Sequence, residues 1–194
     1  MKNSTSTSNF WLATALIIAS LIFRIVSNQL AFFNFTPVIA VALFAGAKFK
    51  DNKWAFLIPI ITLFISDAVL AYLNNFSLLH ETILFTYGTL MLIIALGKVL
   101  QKDKLNVPKI AGLSILSSAL FFILTNFGVW AFGNMYTHDI DGLIKCYVLA
   151  IPFNKVSWMG DMVFSLALFG AYEWMQAPST NITKAFVSHK NDQQ

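Results

Sequence analysis

Residues 54–73 read WAFLIPIITLFISDAVLAYL, twenty positions with one charged side chain, Asp67. Wound as a helix, about 20 residues cover about 30 Å, the thickness of a bilayer's hydrocarbon. The stretch shows no two-residue alternation, and apolar groups fall on every face of the helix. Such a helix is dissolved in lipid or enclosed by protein. Asp67 stands between LFIS and AVLAY with no charge near it in sequence. It needs a partner from another helix.

The same texture runs outward in both directions. The chain has 194 residues, 57% apolar and 15% aromatic but only 11% charged, with a mean hydropathy of +0.68. Soluble domains carry about a quarter charged residues. This composition excludes a disordered chain, a nucleic-acid-binding domain and an ordinary cytosolic enzyme. It predicts an all-α membrane protein with six transmembrane helices, at about 10–30, 36–49, 54–73, 80–100, 109–127 and 156–176. Residues 1–9 are expected to form a loose cytoplasmic N-terminus, and residues 177–194 a cytoplasmic tail. A signal peptide is not expected, because the start has only Lys2 and no small-x-small cleavage site follows. A longer connection is expected over 128–155, where GLIKCYVLAIPF at 142–153 is compatible with a short interfacial helix ended by Pro152. The single cysteine, Cys146, excludes an internal disulfide and any cysteine-based zinc site.

Charge sets the expected orientation. Lys2, Lys48, Lys50, Lys53, Lys98, Lys102, Lys104, Lys109, Lys184 and Lys190 fall on one side of the six segments, and only Arg24, Lys145 and Lys155 on the other. The positive-inside rule puts both termini in the cytoplasm. Ten basic residues face four acids inside, and three face five acids outside.

Segment two is short. Thr36 is a natural N-cap and Pro37 a natural first helical residue. From there to Lys48 is less than a bilayer needs. Two readings stay open: an apolar AFFNF stretch (31–35) dipping back into the membrane, or a tilted short helix in a thinned bilayer.

The polar residues of the spans gather at one depth. Arg24, Asp67, Asn126 with Trp130, and Asp161 all lie toward the expected outer ends, where His80 and Glu81 open segment four. The start of segment two, with Asn34, points to the same level. This pattern predicts a polar cavity open outside and closed inside, with Arg24, Asn34, Asp67, Asn126, Trp130 and Asp161 as ligand-binding candidates. A structural Arg24–Asp67 pair is the competing reading. No HExxH, GxSxG or Gly-rich phosphate loop is present, so no catalytic residue, metal site or cofactor is expected. Ser114, Ser117 and Ser118 read as helix packing. Ala15 and Ala19, four residues apart, allow close helix approach, either inside the bundle or against a partner.

Taken as a set, Asn34-Phe35-Thr36-Pro37 with Ala42-Leu43-Phe44, Ser66-Asp67, Thr125-Asn126-Phe127 with Trp130, and Cys146-Tyr147 through Ala150-Ile151-Pro152-Phe153 to Gly160-Asp161 resemble an uncharacterised family of small bacterial inner-membrane proteins. More distantly, the chain resembles the substrate-binding S components of energy-coupling factor (ECF) vitamin transporters, which dock on a transmembrane partner through Ala-x-x-x-Ala in the first helix. That resemblance implies a subunit capturing a vitamin or related micronutrient from outside. It also implies docking through Ala15 and Ala19 on a transmembrane coupling subunit with ATPases. The acidic balance of the outer side, with Asp67 and Asp161 at cavity depth, and the aromatic residues at the mouth favour a small planar neutral, zwitterionic or cationic ligand. The alternative is a membrane scaffold or assembly subunit with no small-molecule ligand. A membrane-embedded enzyme is the third reading.

Overall fold

The computed structural model describes residues 3–31, 35–79, 81–101 and 105–176, with side chains from residue 7 onward. Asn34, His80 and Lys2, Lys102, Lys104, Lys184 and Lys190 lie outside the described residues. The helices are α1 (Asn3–Gln29), α2 (Val38–Lys48), α3 (Asn52–Asn74), α4 (Ile83–Gly97), α5 (Val107–Phe132) and α6 (Ile140–Gln176), with a 3-10 turn at Lys98–Leu100 continuing α4. No strand occurs among the described residues.

The short helix α2 is the centre of the bundle. Nine of its eleven residues are buried, and every other helix packs against it. Eleven residues reach about 16 Å, half a bilayer. Enclosed by protein, α2 need not match the bilayer thickness, and its neighbours shelter its ends. Its tightest crossing is with α4. A Cβ on Gly46 would sit 1.9 Å from the Ile94 carbonyl oxygen, and one on Gly97 would sit 2.2 Å from that of Leu43. Only glycine permits the two backbones to meet this closely.

Four helices are long and apolar enough to cross a membrane by length and composition: Thr7–Gln29, Asn52–Asn74, Ile83–Leu100 and Val107–Phe132. Their outward faces carry large exposed apolar side chains such as Trp11, Ile22, Ile65, Leu84 and Ile123. This is the surface of a multi-pass membrane protein.

Three expectations are revised. α1 is already helical from Asn3, because extending a formed helix by a polar turn costs little. Thr36 does not cap α2: the helix starts at Val38 after Pro37, and no side chain caps it. The long connection over 128–155 is mostly helix. α5 runs to Phe132, and the supposed interfacial helix and sixth segment are one helix of 37 residues that passes through Pro152. Proline removes one backbone hydrogen bond, yet α6 continues through it from buried Cys146 to buried Gly160.

The lysine-bearing end is cross-tied by side chains. Lys48 Nζ lies 2.6 Å from Glu173 Oε1 and 4.7 Å from the centre of the Tyr172 ring. Gln101 Nε2 donates to the Gly46 and Phe49 carbonyls at 3.0 and 2.9 Å, satisfying the C-terminus of α2.

Candidate functional site

At the opposite end lies a cavity of about 590 Å³. Its walls come from the last turns of α1, the second half of α3, the first turns of α2 and α4, the middle of α5 and α6, and Phe76 and Leu78 between α3 and α4. Arg24, Asp67, Asn126 and Asp161 all line it. Exposed Phe76 and Phe153 belong to the lining and mark its rim.

Arg24 and Asp67 are paired, with Nη2 and Oδ1 2.6 Å apart and side chains 17% and 20% exposed. Arg24 Nη1 also donates to the buried Ser66 hydroxyl, and the Tyr87 hydroxyl donates to Asp67 Oδ2. A guanidinium forked onto a carboxylate and a hydroxyl is held in one orientation. The pair is thus a fixed, neutral feature of one wall.

The facing wall is built differently. Asp161 is 3% exposed. Among the described residues, its carboxylate accepts from Ser118 Oγ alone, at 2.7 Å. The single Ser118 hydrogen is shared with the Ser114 carbonyl at 3.0 Å, and Ser165 donates to the Ser114 hydroxyl at 3.1 Å. The serines therefore join α5 to α6, as helix packing predicts, and one of them also orients Asp161. Asn126 lines the cavity, but its Nδ2 donates to the Phe122 carbonyl at 2.8 Å. What it offers the cavity is mainly its acceptor side.

Two candidates lie elsewhere. Trp130 is not part of the lining: its Nε1 donates to the Thr137 carbonyl at 3.0 Å and braces the α5–α6 turn. Ala15 and Ala19 are exposed on the outward side of α1. In the α5–α6 turn, Asp139 caps α6. The Gly142 N–H and the Thr137 hydroxyl, at 2.7 and 2.8 Å, hold its carboxyl below the ordinary carboxylate range.

Sequence reading missed Asn28, Asn154 and Ser157, all on the lining. Asn28 follows Arg24 by four residues, one helical turn, on the same face. Asn154, Ser157 and Asp161 have spacings of three and four, so they share a face of α6. Asn154 fell outside the expected segment 156–176, which hid its place on that face. Among the described residues, no three His, Cys, Asp or Glu converge on a metal-sized site.

Buried polar groups at one end of an otherwise apolar helical bundle define a multi-pass α-helical membrane protein with a partly open cavity of mixed polar and apolar lining. The chain belongs to DUF6580, a family of unknown function, matched over residues 4–183. No curated protein and no solved structure matches it.

Proposed function

We propose that this protein captures a small molecule in the cavity between α1, α3, α5 and α6, as the substrate-binding subunit of a micronutrient-type transporter in a bacterial inner membrane. In this reading the chain crosses the membrane six times with both termini inside. The cavity then opens outward, away from Lys48, Lys50, Lys53, Lys98 and Lys109. One observation carries the proposal: a volume of about 590 Å³, within the ~300–1,000 Å³ range of small-molecule sites, lined by phenyl rings, aliphatic side chains and a comparable number of polar residues. The tied lysine-bearing end supports capture from one side over a through-channel. The outward position of Ala15 and Ala19 suits docking on a transmembrane coupling subunit with ATPases. No catalytic role is proposed for any residue.

The scaffold reading has its own support, because Arg24 and Asp67 already satisfy each other. Mass spectrometry of small molecules released from the purified full-length chain separates the two. Capture predicts one abundant species, near one per chain, that is displaced when Asn154→Trp fills the cavity. A folded protein that retains nothing from cells or from a metabolite extract supports the scaffold and overturns capture.

A further inference from the structure

We infer that Asp161 is the recognition carboxylate of this cavity and that its ligand is an organic monocation with an aromatic body. The inference rests on the capture reading. Among the described residues, three titratable side chains line the cavity, Arg24, Asp67 and Asp161. The first two cancel at 2.6 Å. Asp67, the more conspicuous acid in the sequence, is therefore committed to the protein. Asp161 is left with one neutral donor, Ser118, at 97% burial. A buried carboxylate without a cation is costly, and a cation brought by the ligand removes that cost.

The remaining lining says which cation. Phe76, Phe121, Phe122 and Phe153 all contribute to it. Phenyl faces attract ammonium and heteroaromatic cations and also stack on flat rings. A bare divalent ion calls for about six oxygen ligands, carboxylates among them, and among the described residues no three His, Cys, Asp or Glu converge to hold one. A polyanion would meet an unmatched negative charge and an arginine already engaged.

The test uses the full-length chain in nanodiscs with three probes of similar size: phenyltrimethylammonium, neutral N,N-dimethylaniline and anionic benzoate. Binding is read by calorimetry and by the ligand-induced shift in unfolding midpoint. The wild type should bind the cation at least about tenfold more tightly than the neutral probe. Asp161→Asn, which keeps size and the Ser118 hydrogen bond, should erase that preference and leave the neutral probe unchanged. Ser157→Lys sets an ammonium four residues from Asp161 on the same helix face. It should also abolish cation binding, and it serves if Asp161→Asn does not fold. Equal binding of cation and neutral probe, or a cation preference that survives both variants, overturns the role of Asp161 while the capture reading stands. Preference for benzoate reverses the ligand's charge and overturns the inference. Failure of all three probes overturns it too, whereas the capture reading is judged by the molecule that co-purifies.

Discussion

Replacing Asp67 by Asn separates the two uses of the cavity's charged pair. The substitution preserves shape and still accepts the Tyr87 hydroxyl, but it removes the countercharge that lies 2.6 Å from Arg24. Two unit charges about 4 Å apart attract by about 4 kcal/mol in surroundings of effective dielectric 20. Stranding one member of a fully buried pair costs about 3–5 kcal/mol. Here the side chains keep 17% and 20% exposure, and Arg24 retains Ser66, so the expected loss is about 2–3 kcal/mol. Reversible denaturant unfolding in mixed micelles, followed by tryptophan fluorescence, measures it without any ligand. Arg24→Met should cost a similar amount. The double variant should cost less than the sum of the two singles, with a coupling of about 2 kcal/mol. A change below about 0.5 kcal/mol for Asp67→Asn, or strict additivity in the cycle, would refute the pair as a structural element. It would return Asp67 to the list of ligand contacts.

The glycine crossing makes a sharper demand. Gly46→Ala and Gly97→Ala should each cost about 3 kcal/mol or more, or prevent folding, because the clash is with backbone and cannot be relieved by a rotamer. Gly88→Ala, Gly112→Ala and Gly170→Ala, with no atom within 4 Å of the added carbon, should be neutral or raise stability by up to about 1 kcal/mol. Equal effects in both sets would sink the close-approach argument. Ala15→Leu with Ala19→Leu should leave unfolding unchanged, since both positions face outward, but should abolish co-purification with a transmembrane partner; unaltered co-purification removes them from the docking face. Asp139→Ala should speed amide exchange in the first turn of α6, and Asp139→Asn should not. Because the folded carboxyl titrates below its ordinary value, its capping contribution is complete above the unfolded pKa and fades as pH falls through the lowered one. Protection in that turn that is indifferent to Asp139→Ala would rule out the cap.

Composition and period alone determined that this chain is helical and membrane-type, because twenty apolar residues without alternation leave a backbone in lipid no other way to satisfy its hydrogen bonds. They also placed Arg24, Asp67, Asn126 and Asp161 at one depth, since depth along a helix is counted in residues. What sequence could not decide was which side chains face each other across the bundle. Arg24 and Asp67 meet because α1 packs on α3, and Ser118 reaches Asp161 because α5 packs on α6. Those rotations are set by steric fit between helices that are apolar on every face, so hydrophobic periodicity carries no trace of them. The same holds for α2. Its shortness is plain in the sequence, but only the close approach of Gly46 and Gly97 explains why it lies at the centre. Trp130 and Pro152 misled for opposite reasons. A tryptophan at a helix end reads equally as belt, ligand contact or brace until its N–H finds the Thr137 carbonyl. A proline reads as a stop until the helix is seen to run through it, from buried Cys146 to buried Gly160.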